Sequence, residues 1–493
     1  MSNRSIGEVK RYHETAKRSS RGGARGATER PAGVPAFQSK FYSDLEPIPL
    51  PRDFRAPGAG ALEAVSRFEC NEEKSPGLAE VAEMLFYSAG RAKERSAAVE
   101  LYLVATEISG LQAGVYHFDA EGFALKRLRA GDYRPELAGS AGDNQAIAAS
   151  PVTFVLSAFF SRAAWKYGAR AYRHCLWESG AVLADLLAIA AAEDIPCSVE
   201  MGFVDAKVNH LLGLDGAGEG SLLLVPAGRC LEWAGHAVGR EVPPLNHAVG
   251  PLSESDVDQA AVRRVHTASS LVADEEIRPW RSSLPQPTPR QKRAFVSLNA
   301  RSTKSASLAS VVGTRGPSGR LAAAKVDLAQ LSAILGGSTR GLPADFLTGP
   351  DTSLVELYVL ADSVDGLTSG VYRFAAAEMG LEFLAPGFDA GLGPDSITTI
   401  FFLVALDSVL ERFGNRGYRA ALVEAGAVAE KMRLIANSLC LEAMAVEADE
   451  NVAEEFFSPH SSGRAALGAL ALGTLVGGVP EVKDRGAGVK RQA

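Results

Sequence analysis

The sequence predicts two diverged copies of one α/β unit joined in tandem, on three observations. ELYLVATEISGLQAGVYHF from Glu100 returns as ELYVLADSVDGLTSGVYRF from Glu356. This offset of 256 positions also relates Tyr102 to Tyr358, Gly110 to Gly366 and Tyr116 to Tyr372. GARAYRHCLWESGAV from Gly168 returns as GNRGYRAALVEAGAV from Gly414. This offset of 246 positions also relates Arg170 to Arg416, Tyr172 to Tyr418, Glu178 to Glu424 and Gly180 to Gly426. The blocks keep their order, and a loop deletion between them accounts for the difference in offset.

Each unit reads in the same sequence of elements. ELYLVA and ELYVLA are short runs of alternating and β-branched residues, which suit strands. The Gly-Leu-x-x-Gly-Val-Tyr that follows each is a turn into a second strand. TFVLSAFF from Thr153 and FFLVAL from Phe401 are continuous apolar runs, suited to strands buried on both faces. A helix follows from about Tyr172 to Ala192, and again from about Tyr418 to Asn437, with apolar positions at three- and four-residue spacing. SLLLVPAG and ALGALALGTLVGG close the two units as strands. The boundaries follow: a flexible or extended segment over 1–54, units over 55–231 and 294–480, a linker over 232–293, and a flexible tail over 481–493. The linker carries SSLPQPTPRQKR, whose prolines resist regular structure, with one short helix near Ser255 to Leu271.

Composition narrows the function classes. The chain has 493 residues, 46% of them apolar and 22% charged, the balance of a soluble globular protein. A net charge of -7 argues against a general nucleic-acid surface. Cys70, Cys175, Cys197, Cys230 and Cys440 form no Cys-x-x-Cys pair, which argues against a disulfide framework or zinc knuckle and for a reducing, cytoplasmic setting. The N-terminus lacks the apolar core of a signal peptide, and no uninterrupted apolar run reaches the ~20 residues of a membrane span. The Arg-rich KRSSRGGARGATERP suits a solvated tail or a docking segment for an acidic or peptidic partner.

Five segments in order resemble the SagB-type (azoline) dehydrogenases, a branch of the FMN-dependent nitroreductase family. They are YHETAK through FQSKFYSDLEPIPLP, the ELYLV to GVYHF hairpin, WKYGARAYRHCLWESGAV, FVDAKVNHLLGLD and PLSESDVDQAAVRRVHTASSL. The resemblance implies an α+β, nitroreductase-like fold, an antiparallel sheet flanked by helices. The two copies would form a pseudo-dimer, with FMN at the dimer-type interface. It further implies oxidation of thiazolines or oxazolines in a precursor peptide to azoles, beside a cyclodehydratase in a modification complex. Two such chains can associate further as a homodimer.

The resemblance also points to site residues. Lys166-Tyr167 matches the Lys-Tyr pair those dehydrogenases use. Aromatising an azoline removes a hydride and a Cα proton, and the proton needs a base. Free Tyr titrates near 10, and a neighbouring ammonium favours its phenolate. Tyr167 is therefore assigned as the base and Lys166 as its electrostatic partner, with exchanged roles left open. A surface Lys beside a half-buried Tyr is the plain structural alternative. At the matching positions of the second copy stand Arg412 and Phe413, and Phe cannot accept a proton.

For FMN phosphate, the family's Arg-Arg-Ser-x-Arg stretch is best matched by Ala300 to Lys304, which assigns Arg301, Ser302 and Lys304 to the cofactor. Lys lacks the bidentate geometry of Arg. The family's Pro-Ser-Ala-Gly-x-x-Tyr-Pro loop is reduced to GRAKERSAAV and FLTGPDTSLV. Its Gly-Gly becomes Met201-Gly202-Phe203 in the first copy, assigning Gly202 to the cofactor, and Ala445-Val446-Glu447 in the second. No HExxH and no P-loop is present. Three readings stand: an azoline dehydrogenase, a degenerate subunit that binds a partner enzyme or precursor peptide, and an FMN enzyme acting on another small molecule.

Overall fold

The strand-forming runs of the two copies build the same sheet twice. A computed structural model describes residues 3–17, 40–54, 57–67, 74–90, 98–230, 241–249, 260–283, 294–299, 305–313, 321–322, 325–340, 342–349, 352–362, 364–386, 398–446, 448–457 and 463–475. The first half contributes strands β1 (Pro47–Pro49), β2 (Val99–Ala105), β3 (Gly114–Asp119), β4 (Ala124–Ala130), β5 (Val152–Phe159) and β6 (Glu219–Ala227). They form one antiparallel sheet in the order β1-β4-β3-β2-β5-β6. The second half contributes β7 (Phe295–Ser297), the short β8 (Leu321–Ala322) and β9 (Val326–Asp327), then β10 (Val355–Ala361), the short β11 (Val364–Asp365), β12 (Gly370–Ala375), β13 (Gly380–Ala385), β14 (Thr398–Val404), β15 (Glu442–Val446) and β16 (Ala465–Leu475). Its main sheet runs β7-β13-β12-β10-β14-β16-β15, the same order with one strand added at the edge. The repeated ELY strands β2 and β10 pair with the repeated hairpin partners β3 and β12, so sequence register becomes sheet register.

Helices follow the same doubling. After α1 (Gly7–Ala16) and α2 (Ala61–Ser66), the first half has α3 (Leu78–Ser88), α4 (Arg134–Ser140), α5 (Gln145–Ala148), α6 (Phe160–Tyr167), α7 (Ala171–Ala192) and α8 (Asp205–Leu212). The connection holds α9 (Ala260–Ala268) and α10 (Ile277–Arg281), and the second half α11 (Leu308–Gly313), α12 (Leu328–Thr339), α13 (Leu406–Phe413), α14 (Arg416–Ser438) and α15 (Glu450–Phe457). By length and composition the stretch 160–192 could cross a membrane, yet 72% of its apolar window is buried inside the fold.

The long helices α7 and α14 pack directly on each other and join the halves. Gly180 and Gly426, equivalent in the repeat, permit this approach. A Cβ on Gly180 would lie 2.7 Å from the Ala427 backbone nitrogen and closer still to the Val423 carbonyl. A Cβ on Gly426 would lie 2.8 Å from the Trp177 carbonyl carbon and closer still to its oxygen. Backbone cannot step aside as a flexible side chain can. Gly180→Ala and Gly426→Ala should each cost about 1–3 kcal/mol, the usual range for overpacking, or more. Denaturant titration checks this, and an unchanged midpoint would rule out the tight crossing.

Two stretches pack more than sequence suggested. Residues 1–54, read as flexible or extended, include helix α1, which buries Val9, Tyr12, His13 and Ala16. The Tyr12 ring meets Tyr172 at 6.0 Å and Tyr418 at 6.4 Å, both edge-on, and so bridges the repeated tyrosines. The helix is polar by composition and gains its buried face only where the two halves meet. The connection over 232–293 does contain the expected short helix, as α9. It also packs Val262, Val265 and Trp280 into the core, so its described parts serve as structure rather than spacer.

Candidate active site in a cleft between the halves

Lys166 and Tyr167 end helix α6, and Gly168 follows with φ 54° and ψ -129°, a conformation that needs glycine. Gly414 makes the same turn after α13 with φ 68°. The turn sets the Lys-Tyr pair beside the start of α7, at the mouth of a cleft of about 390 Å³. The first copy supplies Lys166, Tyr167, Arg170, Arg173, His174 and Trp177. The second copy supplies Phe401, Leu422 and Leu467 together with small residues, including Ala445, Val446, Ala448, Ala466, Gly468 and Ala469. The site is therefore not a property of the first copy alone: the first copy aims the polar groups, and the second leaves the space.

The polar side is cationic. Lys166 is exposed and its ammonium sits 4.9 Å from the Tyr167 ring centroid. The Tyr167 hydroxyl donates to Glu178 Oε1 at 3.3 Å. Tyr167 also stacks on His174, with ring centroids 3.6 Å apart and planes 9° apart. Burial and the neighbouring Arg170, Arg173 and Lys166 charges push His174 down to about 3, so it is neutral at ordinary pH. Glu450 is buried and receives Arg170 at 3.2 Å and Arg173 at 2.8 Å. His174 and Glu450 escaped the sequence reading. The 246-position offset contained a signal for His174, because its counterpart is Ala420.

On the other side the described residues pack closely around the counterpart of Tyr167. Phe413 is fully buried, with its ring 5.7 Å from Trp280. The Phe413 carbonyl accepts from Asn3 Nδ2 at 2.9 Å. Arg416 and Arg419, counterparts of Arg170 and Arg173, grip Asp205 of the first half at 2.6 and 2.8 Å. Each half thus extends two arginines to a carboxylate of the other.

Gly202 lies on the Phe413 side and is not among the described residues lining the cleft. Its N–H donates to Asp345 at 2.8 Å, and Met201 N–H donates to the same carboxylate at 3.0 Å. Arg281 joins Asp345 at 3.1 Å and Glu200 at 3.2 Å. Burial and the nearby Asp345 raise Glu200 to about 8. The positions matching Met201-Gly202 beside Lys166 and Tyr167 are Ala445-Val446. Arg301, Ser302 and Lys304 lie outside the described residues.

The repeated glutamates also differ in task. Glu424 receives the Ser353 hydroxyl at 2.5 Å and the Leu354 N–H at 2.9 Å, which anchors the entry to β10. Burial raises it to about 7 against these two donors. A carboxyl raised from 4.5 contributes stability below that pH and loses it as pH climbs through about 7. Glu424→Gln should therefore gain on the parent by up to about 1.4 kcal/mol per pH unit across that window. Denaturant midpoints at both ends check this, and a constant gap would refute it.

Comparison with known proteins agrees with this architecture. Residues 54–229 match the profile of the nitroreductase family. A provisionally assigned nitroreductase of Methanocaldococcus jannaschii is 26% identical over 165 residues, 31% of this chain and 82% of that protein. The crystal structure of another provisionally assigned nitroreductase, from Anabaena variabilis, superposes with a TM-score of 0.73 at 19% identity. That match covers 95% of this chain and 99% of the other. The fold is nitroreductase-like, an antiparallel sheet flanked by helices, and the structural match spans both halves.

Proposed function

We propose that this chain is an FMN-dependent oxidoreductase that converts azoline rings of a precursor peptide to azoles, working with a cyclodehydratase. The observation that carries this reading is the position of Lys166 and Tyr167 at the mouth of a cleft between the halves. The family match over 54–229 supports it.

The described residues suit a flat conjugated ring. Small side chains on β15 and β16 form the floor, Trp177 borders it, and about 390 Å³ lies within the usual range for ligand pockets. Lys166 and Arg170 are the lining cations nearest the mouth, suited to an anionic group. FMN bound there would supply the two-electron acceptor. Tyr167 takes the proton, because its hydroxyl can pass its own proton to Glu178. The Lys166 ammonium favours negative charge on the phenol. The apolar floor keeps water from the face of the reacting ring that rests on it.

Ala445-Val446, in place of a glycine pair, favours a second reading: a subunit that binds peptide or partner without turnover. Incubating the FMN-supplemented protein with a thiazoline peptide separates the two. Loss of two hydrogens per ring, read by mass spectrometry, supports oxidation. An unchanged mass with flavin bound removes the azoline assignment.

A further inference from the structure

We propose that His174 is the positioning residue that holds Tyr167 in its working orientation; this rests on the cleft being the oxidation site. Tyr167 is the last residue of its helix and precedes a glycine turn, so its own backbone constrains the ring weakly. His174 lies on the first turns of α7, a helix fixed in the centre of the molecule. Its ring covers the phenol face to face at 3.6 Å with planes 9° apart. Burial, aided by the nearby cations, keeps the imidazole uncharged, so the stack adds no positive charge to the phenol.

The repeat supplies an independent observation. Gly168, Arg170, Tyr172, Arg173, Glu178 and Gly180 have identical counterparts 246 positions later. His174 does not: Ala420 stands there, in the copy where Phe413 replaces Tyr167. The fold keeps its shared framework in both copies, whereas the stacking ring is present only beside a phenol.

The test uses full-length protein with ring-labelled tyrosine, Tyr167→Phe serving to assign the Tyr167 signal. In the parent, the imidazole face shifts the Tyr167 ring resonances upfield. His174→Ala should remove that shift and lower kcat by roughly 10–100-fold, the scale of a misplaced reacting group, with KM little changed. His174→Phe, which keeps a flat ring, should restore both. An unshifted Tyr167 signal in the parent, or full kcat in His174→Ala, overturns the proposal. So does a His174→Phe variant with a shifted signal and no activity, which would make His174 a proton relay. If the parent oxidises no azoline, the proposed reaction falls, while the resonance shift and its rescue by Phe still decide whether His174 positions Tyr167.

Discussion

Tyr167→Phe should lower kcat for azoline oxidation by roughly 10²–10⁴-fold, the range for losing a positioned acid or base. The ring stays, so the stack on His174 and the shape of the cleft stay with it. Only the hydroxyl that faces Glu178 is lost. Flavin absorbance and KM should therefore match the parent. The second copy already carries this change in nature, as Phe413, and there the ring is buried against Trp280 rather than turned to an open space. Steady-state kinetics with a thiazoline peptide provide the check. Turnover at the parent rate would remove Tyr167 from the chemistry.

Asp205→Ala should cost about 3–5 kcal/mol, the usual result of removing one partner from a buried ion cluster. Asp205 lies between Arg416 and Arg419, both fully buried, and also accepts the Leu271 N–H at 2.9 Å. Burial alone would raise its carboxyl, but Arg416 and Arg419 outweigh burial and hold it below the ordinary value. Its contribution is therefore complete above the unfolded value near 3.8 and fades as pH falls below it. The counterpart cluster, Arg170 and Arg173 on Glu450, borders the open cleft, where water can reach Arg170. Glu450→Ala should thus cost less than Asp205→Ala. Urea unfolding of both variants decides the order, and equal losses would contradict the asymmetry.

Much of the fold was legible because the repeat spells it twice. Two offsets paired the strands and long helices, and marked Gly180 and Gly426 as equivalent before any geometry was known. Helix α1 was hidden because its burial depends on Tyr172 and Tyr418, far away in sequence. The site was half legible. Motif resemblance pointed to Lys166, Tyr167 and Gly202, all in the first copy, and to FMN at the dimer-type interface. The crossing of α7 over α14 instead turns the first copy's Lys-Tyr pair toward the second copy's Ala445-Val446. Gly202 faces Asp345 on the other side. The resemblance implied a shared interface, but which stretch of the second copy meets the Lys-Tyr pair depends on how the halves pack, which no local pattern reports.

We propose one flavin site per chain, formed between the unequal halves beside Lys166 and Tyr167. The amount of FMN held by the purified, flavin-saturated protein after removal of free cofactor tests this. One FMN per chain is expected, with a bound-flavin spectrum that Tyr167→Phe preserves. No retained FMN, or two per chain, would contradict it.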